Sequence, residues 1–191
     1  AVNTICRGAG GLVGSNTDCL GAVRALSDVT PLQNKHVVII GAGGAARAVA
    51  FGLVDAGARV TIVNRTPEKG EQLARDLNAD FIGLHDLKHI DGDILVNTTA
   101  VGMTPDTDRM PVAEHLLRED LIVMDVIYNP LKTLLLRTAE RRGCRTISGL
   151  SMFVYQGAAQ FERWTGTEAP LETMEAAVRQ ALEAQARADV P

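Results

Sequence analysis

Short apolar runs recur along the chain at 37–40, 59–63, 94–97, 121–126 and 145–147, with a weaker one at 80–82. Val37 to Ile40 reads as a strand buried on both faces. Between these runs the apolar positions switch to helical spacing, over 44–56, 67–77, 84–89, 112–118 and 131–142. Strands alternating with helices predict right-handed βαβ crossovers and a parallel sheet with helices on both faces. The strands at 59–63 and 80–82 should lie on one side of the first, and those from 94–97 onward on the other. That is a doubly wound α/β sheet, in which ligands bind beyond the carboxyl ends of strands. Gly41, Asn64, Asn97 and Asp125-Val126-Ile127 therefore fall on the functional edge.

Two pieces flank this pattern. Val2–Cys6 and Leu12–Gly14, joined by the glycine-rich stretch 8–11, predict a hairpin. With Cys6 facing Leu12, Asn3 lies opposite Ser15. A helix from about Asp18 through Leu26 follows, then a loop to Asn34. After the sheet the spacing predicts a helix over Leu150–Trp164, ended by Gly166, and another from Leu171. Apolar residues at 171, 174, 178 and 182 give the last helix one buried stripe, and the tail from Ala184 is expected to fray.

Composition narrows the class. The 191 residues suit one domain with an appendage, and 46% apolar with only 4% aromatic residues suits a core of small aliphatics. A net charge of −4 argues against a nucleic-acid partner, which would need a basic face. No apolar run approaches the roughly 18 residues of a membrane span. These residues show no charged, apolar and small-residue run that would indicate secretion, and Cys6, Cys19 and Cys144 show no C-x-x-C spacing. A cytoplasmic protein with reduced thiols is expected. No metal site is expected either: His85 and His89 are four apart on a predicted helix, but a pair alone makes no site. The start at Ala1, without Met, reads like the inside of a longer protein.

The first chemical signal follows the 37–40 strand. Gly41-Ala42-Gly43-Gly44-Ala45-Ala46 places a G-x-G-x-x-A turn between a strand and a helix. Gly41 permits the tight turn, Gly43 lets backbone approach phosphates, and Ala46 allows close helix–strand packing. The helix then aims its free N–H groups at a dinucleotide's pyrophosphate. At the end of the second strand, where NAD sites usually place Asp or Glu, stand Asn64, Arg65 and Thr66, with Lys69 a turn further on. No carboxylate repels a 2′-phosphate, and two cations and a hydroxyl are available to bind it. A hydrogen bond to a charged group contributes about 1.5–3 kcal/mol, which favours NADP over NAD by roughly tenfold to a hundredfold. The competing reading makes Arg65 and Lys69 solvated surface charges; the sequence argues for NADP.

A second signal is a gathering of short polar side chains. The hairpin brings Asn3 and Thr4 toward Asn16, Thr17 and Asp18. The group suits a polyhydroxylated ligand, or equally a turn in which Asp18 caps the next helix.

Taken with Val2-Asn3-Thr4, Gly14 to Asp18, Asn97 to Met103, Tyr128-Asn129-Pro130 and Gly149 to Met152 with Gln156, the chain resembles the shikimate dehydrogenases over nearly its whole length. The resemblance implies a Rossmann-type NADP-binding domain over 27–191, including the C-terminal helices, preceded at 1–26 by the end of a substrate-binding domain and a hinge helix. It implies reversible NADPH-dependent reduction of 3-dehydroshikimate to shikimate, a step of aromatic amino-acid biosynthesis. Asp18 becomes the catalytic carboxylate, paired with a lysine that serves the substrate's carbonyl oxygen. Asn3, Asp18, Tyr128 and Gln156 become substrate ligands. Gly41, Ala42, Gly43, Gly44, Ala45, Asn64, Arg65, Thr66 and Lys69 become ligands of the cofactor's phosphates and adenosine. Asn97, Thr98, Thr99 and Val101 would lie under it, and Ile127, Gly149 and Met152 would line the nicotinamide, although Met152 reads equally well as core and Tyr128 as a strand cap.

The family's substrate domain, with its catalytic lysine, has no counterpart in these residues; Lys35, Lys69, Lys88 and Lys132 match none of its positions. The expectation is a chain that binds NADP(H) with little turnover alone, and whose exposed hairpin and final helices favour a homo-oligomer. The alternatives are an NAD-using quinate/shikimate dehydrogenase, which Arg65 opposes, and a non-catalytic NADP-binding module.

Overall fold

A computed structural model describes residues 2–188. The chain opens with an antiparallel hairpin, β1 (Thr4–Gly8) and β2 (Gly11–Ser15), and a helix, α1 (Asp18–Ser27). The sheet follows: β3 (His36–Ile40), α2 (Gly44–Asp55), β4 (Arg59–Asn64), α3 (Pro67–Leu77), β5 (Asp80–Gly83), β6 (Ile94–Asn97), β7 (Ile122–Asp125), α4 (Leu134–Arg141) and β8 (Arg145–Ile147). Two helices close the chain, α5 (Gly149–Thr165) and α6 (Leu171–Ala188). All six sheet strands are parallel, in the order β5-β4-β3-β6-β7-β8. The order reverses between β3 and β6, where Ile40 pairs with Asn97, and a crevice opens beyond their carboxyl ends.

Alternation along the strands sorts the core into two layers. Val37, Ile39, Val60, Ile62, Val96 and Met124 face α1, α2 and α3. Val38, Ile40, Val63, Leu95 and Val123 face α4 and two loops. That second face departs from the sequence pattern. The helices expected over 84–89 and 112–118 are single 3₁₀ turns, Leu84–Asp86 and Glu114–Leu116. After β5 the chain must cross beneath β4 and β3 to reach β6 in ten residues. A helix rises only about 1.5 Å per residue, too little for that distance. In the second loop Val112, Leu116 and Leu117 are buried, and Arg118 donates to the carbonyls of Ile90 and Gly92, tying the loops together. Helix α4 starts at Leu134 rather than 131, because Thr133 caps it by accepting from Leu136 N–H.

The hairpin register differs by one residue from expectation: Cys6 pairs with Val13 and Thr4 with Ser15. Gly8 pairs with Gly11, so Ala9 and Gly10 form a tight two-residue loop. The hairpin is tethered by α5, with Gln160 donating to Asn3 O and Trp164 to Ile5 O. The stripe of α6 is half-buried rather than buried, with α5 packed against it. Helix α6 continues to Ala188; the end of the tail expected to fray, 189–191, lies outside the described residues, as does Ala1. No helix among the described residues is long and apolar enough to cross a membrane.

Candidate functional site

Gly41 leaves β3 at φ +119°, a conformation that other residues resist. A Cβ there would lie 2.5 Å from Thr98 Oγ1, so both the turn and the contact require glycine. Thr98 returns the contact by donating its N–H (3.0 Å) and hydroxyl (2.7 Å) to Ile40 O. Gly43 caps α2 without any side-chain hydrogen bond, and the space above its α-carbon is open. The first-turn amides of α2 thus meet a crevice ready for an anion.

That crevice is a cavity of about 610 Å³. Gly41, Ala42 and Gly43 form one wall, Thr98, Thr99 and Val101 a second, and Asn64, Arg65, Thr66 and Lys69 the rim. Asn64 Nδ2 donates to Thr66 O at 2.8 Å and fixes the turn into α3. Arg65 and Lys69 are exposed and form no ion pair among the described residues. The volume, the uncapped helix start and the free cations fit a dinucleotide bearing an extra phosphate. Arg109 and Asp106 also line this cavity. Sequence reasoning missed them because their loop has neither periodicity nor motif.

Asn97, below this cavity, is fully buried. Its Oδ1 accepts from Thr99 N (3.0 Å) and Oγ1 (2.7 Å), and its Nδ2 donates to Asp125 Oδ1 at 3.0 Å. Asp125, also at 0% exposure, accepts further from Ile127 N at 3.1 Å and Thr133 Oγ1 at 2.7 Å. Burial pushes its pKa up to about 6, against the pull of these three hydrogen bonds. Beyond it, Gly149 at the start of α5 lies so close to the carbonyls of Val126 and Ile127 that no Cβ fits. Ile127 and Met152 are buried, and Met152 packs in the core layer under the sheet. Gly44, Ala45, Asn97, Ile127, Gly149 and Met152 do not line the 610 Å³ cavity.

The polar cluster assembles around Asn3. Its Nδ2 donates to Asp18 Oδ1 (2.9 Å) and Gln156 Oε1 (3.3 Å), and its Oδ1 accepts from Thr17 N (2.9 Å). Asn16 Nδ2 donates to Asp18 Oδ2 at 3.3 Å. Asp18 is the first residue of α1 and not its cap; Thr17 holds that place, with no side-chain cap bond. No cation pairs with Asp18 among the described residues. Tyr128 stands apart from this hydrogen-bonded group, exposed and stacked on Phe153 with centroids 4.5 Å apart. His85 and His89 join no metal-binding group among the described residues.

A family model for shikimate/quinate 5-dehydrogenases matches residues 24–126, and one for the shikimate 5′-dehydrogenase C-terminal domain matches 149–179. The NADP(+) shikimate dehydrogenase of Methanosarcina mazei is 47% identical, over 96% of this chain and 70% of its own length. A crystal structure of a shikimate dehydrogenase in complex with NADP+ superposes with a TM-score of 0.88 at 45% identity, covering 95% of this chain and 67% of that one. The shikimate 5-dehydrogenase of Thermus thermophilus, in complex with NADP(H) and shikimate, gives 0.86 at 38% identity over 95% and 68%. The first model alone accounts for more than half of the residues, and sequence and fold agree over nearly all the rest: the chain belongs to the shikimate dehydrogenase family.

Proposed function

We propose that this chain binds NADP(H) in the 610 Å³ crevice and takes part in the reversible reduction of 3-dehydroshikimate to shikimate. The observation that carries the cofactor is the rim of β4, where two cations with no ion-pair partner among the described residues stand in place of a carboxylate. Bound NADPH supplies the hydride. The chain's own residues then bind, orient and screen. The amides of α2 and the turn at Gly41–Gly43 hold the pyrophosphate, Arg65 and Lys69 the 2′-phosphate, and Thr98, Thr99 and Val101 the face of the dinucleotide.

Asn3 and Gln156 hold substrate hydroxyls from two elements. Asp18 aligns a proton-donating cation, the lysine the resemblance implies, on the oxygen that gains charge as hydride arrives. Tyr128 closes the site from the loop after β7. The setting this reading implies is cytoplasmic, where Cys6, Cys19 and Cys144 stay reduced.

Titration with NADPH, NADH and shikimate separately tests the reading. NADPH should bind about tenfold or more tighter than NADH. Arg65→Ala should weaken NADPH by about tenfold and change NADH by less than about twofold. Equal losses for the two nucleotides would remove the 2′-phosphate from Arg65.

A further inference from the structure

We propose that Asp125 is a positioning residue for the cofactor site, its carboxylate locking the turn at 97–101 to the backbone after β7 and to the first turn of α4. The inference rests on the NADP(H) reading above and extends it to a group that touches no ligand.

Each oxygen of the carboxylate has distinct work. Oδ1 takes Asn97 Nδ2 and the Ile127 N–H, while Oδ2 takes the Thr133 hydroxyl. Through Asn97 the fastening reaches Thr99, and Thr99 Oγ1 in turn accepts from Val101 N at 3.2 Å. Thr98, in the same turn, meets Gly41. Through Ile127 it reaches the segment packed so tightly on Gly149 that a Cβ there would lie 2.5 Å from Ile127 O. The wall of the phosphate crevice and the loop toward α5 are thereby held by one side chain. Backbone pairing does little of this: beyond the ends of β6 and β7 the backbone ties between these segments among the described residues are Val126 N to Asn97 O and, further out, Thr104 N to Asn129 O. Among the described residues no cation meets Asp125, whose hydrogen-bond partners are the side chains of Asn97 and Thr133 and the Ile127 N–H. A carboxylate placed only for stability would gain nothing from so costly a burial, since an apolar side chain of the same shape serves as well or better.

The arrangement orders the middle and nicotinamide end of the dinucleotide and leaves the adenosine end, at Arg65, to itself. The test therefore compares NADPH with adenosine 2′,5′-bisphosphate, which lacks nicotinamide, on the full chain and its variants. Asp125→Ala should weaken NADPH by about tenfold and the bisphosphate by less than about threefold. Asp125→Asn should restore NADPH affinity to within about threefold of the parent, since an amide oxygen still accepts from Asn97 and Ile127 and the amide NH₂ turns the Thr133 hydroxyl into an acceptor. Thr133→Val removes one anchor and should give a smaller loss, again for NADPH only; it supplies the reading if Asp125→Ala does not fold.

Unchanged NADPH affinity in the Ala and Val variants, equal losses for both ligands, or an Asn variant as weak as the Ala variant each overturns the proposal. Failure of the parent chain to bind NADPH at all is a different result: it removes the NADP(H) reading and this inference with it.

Discussion

Ionising a carboxylate with no cation beside it costs free energy, and Asp125 meets that cost only in the folded chain. Its pKa there is about 6, against 3.8 unfolded. Well below pH 3.8 both states hold the proton and Asp125 is neutral in its effect. As pH rises toward 6 the unfolded chain releases the proton first, so stability falls across this window and then levels off. The difference amounts to about 2–3 kcal/mol at neutral pH. Asp93 shifts the opposite way, lowered chiefly by the backbone hydrogen bond from His36, and the exposed Asp76, Asp120 and Glu140 are lowered by Arg47, Arg118 and Lys132. Those groups gain stability as pH rises and mask Asp125 in any single curve. Urea unfolding of the parent and Asp125→Asn from pH 4 to 7 separates them. The parent should lose about 2–3 kcal/mol relative to the variant over that range. Parallel curves would mean that Asp125 ionises as easily folded as unfolded.

At the scale of elements, α5 joins the two ends of the site. Gly149 and Gln156 are seven residues apart, which puts them on one helix face about 10 Å from each other. The first abuts the loop after β7 and the second enters the Asn3–Asp18 cluster. Gly149→Ala places a methyl 2.5 Å from Ile127 O, and backbone rather than a flexible side chain must give way. Overpacking of this kind costs about 1–3 kcal/mol, and the displaced loop should weaken NADPH as well. A urea midpoint and NADPH affinity both matching the parent would show that the loop moves freely.

Most of this geometry was readable from spacing. The 37–40 run and its glycines identified the crevice, and the order of runs gave the sheet. The loops at 84–89 and 112–118 were not, because an apolar face that packs as an irregular loop has the same residues as one that packs as a helix. Nor was the Asn97–Asp125 lock, whose partners are 28 positions apart and share no motif. The hairpin register slipped by one because loop length, not composition, sets it.

At the scale of the molecule, the hairpin that supplies Asn3 leaves its own apolar residues uncovered: Ile5 is 58% exposed, Leu12 77% and Val13 56%. Ile5 and Leu12 share one face of the hairpin and Val13 the other, and exposed apolar side chains of this kind favour association with another protein surface, for which a second copy of the chain is a candidate. Sedimentation should show association that grows with concentration and falls in Leu12→Ser; a monomer at every concentration would contradict it.

Beside this surface Asp18 touches the amides of Asn3 and Asn16 and no cation among the described residues. The described lysines lie elsewhere: Lys35 pairs with Asp93, Lys132 with Glu140, Lys69 stands at the rim of the cofactor crevice, and Lys88 lines a separate hollow beside β5. A carboxylate flanked by amides orients a donor but does not itself answer the charge that grows on the substrate oxygen. Positioned acid–base groups contribute about 10²–10⁴-fold to such a step. A polypeptide of these 191 residues should therefore bind NADPH yet oxidise shikimate at least about 10²-fold more slowly than a family member spanning the relatives' full length. Steady-state rates with NADP+ decide the matter: equal turnover would mean that Asp18 and its neighbours already hold every group the reaction needs.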